Sequence, residues 1–290
     1  MANSNHYCTS TTACCNAYAR NRGLSDPHEI VREETKNELK TDSLSKTIFH
    51  SLIRNQNLPE AEKSDKRLAD QAGVLLGGRT DTTASTLAYT TYHLLSNPRI
   101  LKKLRDELIS AILDPQDMPP LNKLEALPFS TAIVQEGIRL HPGASIRQER
   151  VALDEDLLYE DRKTGMKWLI PKGIPVGITA PLLSRNEDIY PLPSVFRPER
   201  FLNNPRLDRY QLAFSRGSRR CLGMPLAYSE LYTILASIFR KYDSYDGTGK
   251  QTGPTLELFE TTKDDVEMVA DHVTPYVRDG SLGMRVIIRR

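Results

Sequence analysis

Cys221 sits in the segment Phe214-Ser-Arg-Gly-Ser-Arg-Arg-Cys-Leu-Gly223, and its neighbours are residue types that suit a metal-ligating thiol. Gly217 can take positive backbone dihedrals, and Gly223 lets another surface approach the main chain closely. From Pro225 onward, Leu-Ala-Tyr-Ser-Glu-Leu-Tyr-Thr-Ile-Leu-Ala-Ser-Ile-Phe is apolar at helical spacing, so Cys221 is expected at or just before a helix N-terminus. There the helix dipole and unbonded N–H groups favour an anionic sulfur. A thiolate so placed is a ligand for a soft or redox-active metal. Arg219, two residues earlier, offers a fork-shaped donor to a carboxylate on the same ligand. The competing reading is an inert thiol ahead of a surface helix, since a lone cysteine ordinarily behaves as a small hydrophobe.

Two further clusters carry chemistry. Glu136-Gly-Ile-Arg139 sets an acid and a base at i and i+3 on one helical face, within reach of a common third partner. Alone, such a pair is ordinarily a solvated surface feature. Phe196-Arg-Pro-Glu-Arg200-Phe201 adds an arginine in a proline-bracketed loop between that helix and Cys221. Upstream, Leu75-Leu-Gly-Gly-Arg-Thr-Asp-Thr-Thr-Ala-Ser-Thr-Leu87 holds Asp81 beside Thr82, an acid and an alcohol able to pass protons. A mid-helix threonine can instead bond only to a carbonyl one turn back.

Taken together, these segments resemble the cytochrome P-450 family. Its haem-binding signature, F-x-x-G-x-R-x-C-x-G, has every specified position filled, by Phe214, Gly217, Arg219, Cys221 and Gly223. The resemblance implies haem b with Cys221 as axial thiolate, Phe214, Gly217 and Gly223 in the cofactor loop, and Arg219 and Arg150 as propionate partners. It implies that Glu136, Arg139 and Arg200 form one buried network bracing the cysteine loop. It also implies that Asp81 and Thr82 are the catalytic proton relay of the distal helix. Read without a gap, Arg79 falls where the family usually has glycine, which puts a charge in need of a partner beside the distal face.

The implied fold is mainly α, the C-terminal half of the P-450 architecture with a small β-sheet and hairpin region. The match runs from residue 41 to 290, with 1–40 an atypical and poorly ordered segment. Thr47-Ile-Phe-His50, Tyr92-His-Leu-Leu-Ser-Asn-Pro98 and Leu226-Ala-Tyr-Ser-Glu230 resemble the fungal secondary-metabolism, trichodiene-oxygenase-like branch. The family's W-x-x-x-R helix has no counterpart, because the one tryptophan, Trp168, lies in the expected hairpin. The chain thus reads as an N-terminally truncated member.

At 290 residues and 39% hydrophobic, the chain is long enough for a sizeable core in one or two domains. A net charge of +2 points to no nucleic-acid partner. Met1 to Gly23 is polar, without the apolar core of a signal peptide, and no run of about 18 apolar residues is present to cross a membrane. The four cysteines fit a reducing compartment, with Cys8, Cys14 and Cys15 read as free thiols.

To position these groups, periodicity and Pro or Asn-Pro breaks predict helices at 43–56, 60–96, 99–113, 128–140 and 223–241. Strands are predicted at 147–153, 167–170 and 174–180, the last two joined as a hairpin by Pro171-Lys-Gly173, with a final strand from Met284.

The function that the resemblance implies is a haem-thiolate monooxygenase inserting one oxygen atom from dioxygen into an apolar organic substrate, a terpenoid or other secondary metabolite. Electrons would come from an NADPH-dependent flavin reductase, with Arg216 and Arg220 as candidate docking residues. Location would be the cytoplasmic face of the endoplasmic reticulum, by peripheral membrane association, or soluble. The rival is a truncated, catalytically silent polypeptide that binds haem weakly or serves only as an interaction module, its apolar faces left for a partner.

Overall fold

A computed structural model describes residues 48–289 of the chain. The segment 1–40 and Cys8, Cys14 and Cys15 lie outside the described residues. The chain divides into two compact units, Met1–Asp81 and Thr82–Arg290. In the first, α1 (Ile48–Ile53) precedes a 3-10 turn (Glu60–Lys63) and the beginning of α2 (Asp65–Leu95). Leu68, Ala69 and Ala72 are buried there with Phe49, Leu52 and Ile53 packed on them. The helix predicted at 60–96 is therefore two elements. Ser64 takes extended backbone, φ −62° and ψ 147°, and no helix continues through it.

The second unit opens with the rest of α2, which stops ahead of Pro98. Asn97 then starts α3 (Pro98–Ala111): its side chain accepts the Ile100 N–H at 3.3 Å, and proline occupies the first turn, where its missing N–H costs nothing. Next come α4 (Leu121–Glu125), α5 (Pro128–Leu140) and, after the sheet region, α6 (Ala180–Ser184), α7 (Glu199–Asn203) and α8 (Met224–Lys241). Leu101, Leu104 and Leu108 form one apolar stripe on α3 and meet Ile133 and Ile138 of α5 and Leu231, Leu235 and Phe239 of α8 in the main core. Each such side chain contributes about 1.5–3 kcal/mol on burial.

Charged side chains fix the helix ends in this core. Glu107 of α3 accepts the Phe129 and Ser130 N–H groups at 2.8 and 2.7 Å, so a carboxylate caps the N-terminus of α5, the end that favours negative charge. Arg105 of α3 donates to Phe239 O and Tyr242 O at the C-terminal end of α8, at 2.6 and 2.5 Å. Arg240 of α8 returns the arrangement, donating to Ile112 O and Leu113 O beyond α3 at 2.6 and 3.1 Å. The two helices thus cap each other's carbonyls.

The strands form four small sheets among the described residues. β1 (Gln148–Val151) pairs antiparallel with β4 (Pro175–Ile178), and β2 (Leu157–Glu160) with β3 (Lys167–Ile170). β5 (Asp243–Ser244) runs parallel to β6 (Thr255–Leu258), which pairs antiparallel with β9 (Val286–Arg289). β7 (Ala270–His272) and β8 (Thr274–Tyr276) make a hairpin. The expected hairpin of 167–170 with 174–180 is not formed. The Pro171–Ile174 turn is present, but Gly173, at φ 82°, donates its N–H to Ala152 O, and the turn passes the chain from one sheet to the other. The partner of β3 is β2, reached through a tight loop in which Asp161 accepts from Lys163 N and Thr164 Oγ1.

Candidate cofactor site

The cysteine loop hangs between β1 and α8. Cys221 donates its backbone N–H to Phe214 O at 2.8 Å, closing a loop whose middle is a 3-10 turn at Gly217–Arg219. Gly217 takes φ 76° and Ser215 φ 59°, so the loop holds two residues in the left-handed region. Gly223 immediately precedes α8, with Pro225 in its first turn, which places the thiol just ahead of that helix. The Phe214 ring packs on Tyr228 of α8 at 5.2 Å. Cys221 is exposed, as is Leu222 after it.

Two residues of β1 tie this loop down. Gln148 Nε2 donates to Leu212 O at 3.0 Å, and Arg150 Nη2 donates to Ser215 Oγ at 2.8 Å and Arg216 O at 3.3 Å. Arg150 Nη1 donates to Glu149 O, which leaves Nε and one Nη1 hydrogen of the guanidinium for another acceptor. Arg219 has no hydrogen-bond or ion-pair partner among the described residues, and it is exposed.

Glu136 and Arg139 are fully buried, and Arg200 nearly so. Arg139 grips Glu136 with two parallel bonds of 2.8 Å, and Arg200 Nε reaches Glu136 Oε1 at 3.0 Å. The same oxygen accepts the Arg197 backbone N–H at 2.8 Å. Further guanidinium hydrogens go to carbonyls: one of Arg139 to Ser184 O, and three of Arg200 to Pro191, Leu192 and Val195 O. Desolvation pulls the Arg200 pKa down from its ordinary value, with Glu136 opposing that fall. Burial likewise pushes Tyr190, whose ring carries the Arg139 guanidinium at 4.9 Å, up to about 12. One carboxylate thus organises the 190–197 loop and α7 around α5. The hydrogen bonds from α5 to the segments on either side of the cysteine loop come instead from Gln135, a residue that sequence reasoning missed. Gln211 Nε2 donates to Gln135 O at 2.7 Å, and Gln135 Nε2 to Tyr228 Oη at 3.4 Å. Nothing in residue type or spacing marks a glutamine beside a glutamate for this role.

On α2, Asp81 and Thr82 are half-buried and Arg79 is exposed, so the desolvation argument that Arg79 must find a buried partner does not apply to it here. Thr82 lies against Gly143: a Cβ added there would come within 2.5 Å of Thr82 Cβ and 3.0 Å of its Cα. Gly137 likewise faces Thr90 Oγ1, and Thr86 Oγ1 donates to His141 O at 2.9 Å. These two glycines let the threonine face of α2 approach α5 and the loop after it.

A family model described as Cytochrome P450 matches residues 18–264. The chain belongs to the cytochrome P450 family. Among curated P450 relatives, it is 43% identical over 245 residues to the cytochrome P450 monooxygenase tpcC of Cochliobolus heterostrophus, which covers 84% of this chain and 46% of the relative. It is 43% identical over 249 residues to the cytochrome P450 monooxygenase astB of Talaromyces wortmannii, covering 83% and 50%. It is 37% identical over 262 residues to the fusicoccadiene C-8 hydroxylase of Phomopsis amygdali, covering 89% and 46%. The chain spans about half the length of the curated relatives it matches.

The P450 family implies haem, and the residues on the loop fit such a group. A Cβ built on Gly217 meets nothing within 4 Å, and one on Gly223 meets only the sulfur of Cys221, at 3.9 Å. An open main-chain cradle, an exposed thiol and an unpartnered guanidinium therefore share one short loop. No helix among the described residues is long and apolar enough to cross a membrane.

Proposed function

We propose that this P450 chain carries the haem of a monooxygenase, with Cys221 as the residue that would supply its thiolate ligand. The supporting observation is the exposed thiol held ahead of α8 by its own N–H on Phe214 O, with Arg219 alongside. When bound, haem supplies the iron that activates dioxygen, and a thiolate ligand pushes electron density toward it. Gly217 and Gly223 leave room for the ring, while Phe214 anchors the loop on α8. Arg219 holds one propionate, and Arg150 uses its remaining hydrogens for another while bonding Ser215. Glu136, Arg139 and Arg200 keep α5 and the 190–197 loop in place behind the site. Asp81 and Thr82, an acid and an alcohol adjacent on α2, would hold and pass protons for that chemistry.

The substrate in this reading is an apolar organic molecule of terpenoid or other secondary-metabolite type, into which one oxygen atom is inserted. The name of the relative that hydroxylates fusicoccadiene supports this class. An NADPH-dependent flavin reductase supplies the electrons, and the family's usual place is the cytoplasmic face of the endoplasmic reticulum. The test is optical titration of the purified chain with haem: saturable uptake of one haem per chain is expected, weakened by Arg219→Ala. Non-saturable uptake that ignores Arg219 would sink the reading.

A further inference from the structure

The chain leaves the C-terminal end of α8, opposite to the end that Cys221 precedes, through β5, a loop and β6. The loop reads Tyr245-Asp-Gly-Thr-Gly-Lys-Gln-Thr-Gly-Pro254, and its own side chains fix it. Asp246 Oδ1 accepts the Thr248 N–H at 2.8 Å and the Thr248 hydroxyl at 2.7 Å. Gln251 closes the loop: it accepts the Asp246 N–H at 2.7 Å, and its Nε2 donates to Ser244 O at 2.8 Å. Asp243 N donates to Pro254 O at 3.2 Å, and Gly253 before it takes φ 96°, a state open to glycine.

This loop and Arg105 of α3 border an open cavity of about 370 Å³, large enough for a small organic ligand. Its charged walls are Arg105, Lys241 and Lys250 against Asp243 and Asp246. The carboxylates are largely engaged. Asp243 faces Arg105 Nε at 3.2 Å and accepts the Ser244 N–H at 2.7 Å, while Asp246 keeps Oδ2 for a further donor. The donors are not engaged to the same extent. Lys241 and Lys250 have no ion-pair partner among the described residues, and the Lys241 ammonium lies over the Tyr242 ring at 5.3 Å. Arg105 spends Nη1 on Phe239 O and Tyr242 O and Nε on Asp243, which leaves both Nη2 hydrogens. The main-chain N–H groups of Thr252 and Gly253, also on the wall, take no hydrogen bond among the described residues.

A cavity whose free donors outnumber its free acceptors selects an anion. Two ammonium groups and a guanidinium edge together suit the several oxygens of a phosphate. A phosphate alone fills little of this volume, and Asp246 Oδ2 remains as the acceptor for a hydroxyl on the body that carries it.

We propose that this cavity binds a phosphorylated polyol, its phosphate held by Lys241, Lys250 and Arg105 and one of its hydroxyls by Asp246. A free sugar phosphate and an inositol phospholipid headgroup both present that chemistry. The site is independent of the haem reading, since none of its residues belongs to the cysteine loop.

The test is calorimetric titration of the purified chain, at constant ionic strength, with glucose 6-phosphate, inorganic phosphate and glucose. Saturable binding of glucose 6-phosphate is expected, with inorganic phosphate weaker and glucose silent. Lys241 and Lys250 are exposed, so their replacement leaves the core intact. Lys241→Ala with Lys250→Ala is expected to weaken glucose 6-phosphate about tenfold, the order of two exposed ion pairs, and Lys66→Ala with Lys123→Ala, outside the cavity, to leave it unchanged. The second arm is sedimentation with phosphatidylcholine vesicles with and without phosphatidylinositol 4-phosphate. Cosedimentation that needs the phosphoinositide and is abolished by Lys241→Ala with Lys250→Ala supports the headgroup as ligand, and titration without cosedimentation supports the free sugar phosphate. Equal weakening by the two double variants, or neither saturable binding nor cosedimentation by the parent, would overturn the site. Inorganic phosphate binding as tightly as glucose 6-phosphate would overturn the part given to the polyol.

Discussion

Gln135 and Glu136 are neighbours on α5, and their side chains anchor different parts of the chain. Glu136 Oε1 gathers Arg139, Arg200 and the Arg197 N–H, while the Gln135 side chain and carbonyl engage Tyr228 and Gln211 on either side of the cysteine loop. The ionic cluster and the loop contacts thus leave the same turn of the same helix, and mutations can separate them.

Glu136→Ala removes the only carboxylate in the cluster and strands two buried guanidiniums with the Arg197 N–H. A loss on the order of 3–5 kcal/mol is expected, as for other broken buried pairs. Urea unfolding checks it. A change within about 0.5 kcal/mol, the range of ordinary surface substitutions, would contradict the buried arrangement.

Gln135→Ala, in contrast, leaves every bond to Glu136 in place. The expected cost is about 1 kcal/mol, that of an ordinary neutral hydrogen bond, together with faster haem loss from the loaded chain. Unchanged haem off-rate would mean that the loop is held without Gln135.

Glu107→Ala exposes the Phe129 and Ser130 N–H groups at the start of α5. Loss of the cap is expected to cost about 1–2 kcal/mol, read by the shift in the unfolding midpoint, and Glu107→Gln is expected to recover part of it.

His93 and His141 give the protein an acid limit. Burial lowers the pKa of each from 6.5 to about 4, with Lys263 adding to the effect at His93 and Arg185 at His141. The folded state holds both rings neutral, and the unfolded chain binds their protons at higher pH. Their contribution is therefore fully present above pH 6.5 and is lost as pH falls toward 4, by up to about 3 kcal/mol for each ring. His141→Phe is expected to flatten that part of the stability profile. A profile between pH 6.5 and 4 unchanged by the substitution would contradict this.

The long helices were legible in the sequence because their apolar stripes recur over several turns: α3, α5 and α8 fall within two residues of their predicted bounds. Short elements left no such trace. α4, α6 and α7 have five residues each, too few for a 3.6-residue period to declare itself. β2 reads Leu-Leu-Tyr-Glu behind an acidic run and shows no alternation, so its partner β3 was assigned to the wrong neighbour across a turn that does exist. At the site, Cys221, Arg219 and the Glu136 cluster stood out by residue type. Gln135, Gln148 and Ser215 did not, because an uncharged side chain acquires its role only when the fold brings a donor or an acceptor to it.

The most direct test of the account is the optical spectrum of the ferrous carbonyl complex of the haem-loaded chain, parent against Cys221→Ser. A neutral hydroxyl is a poor donor to iron beside a soft thiolate. The parent is expected to show the long-wavelength Soret band of thiolate ligation, and Cys221→Ser to lose it. The same spectrum from both proteins would show that Cys221 is not the ligand.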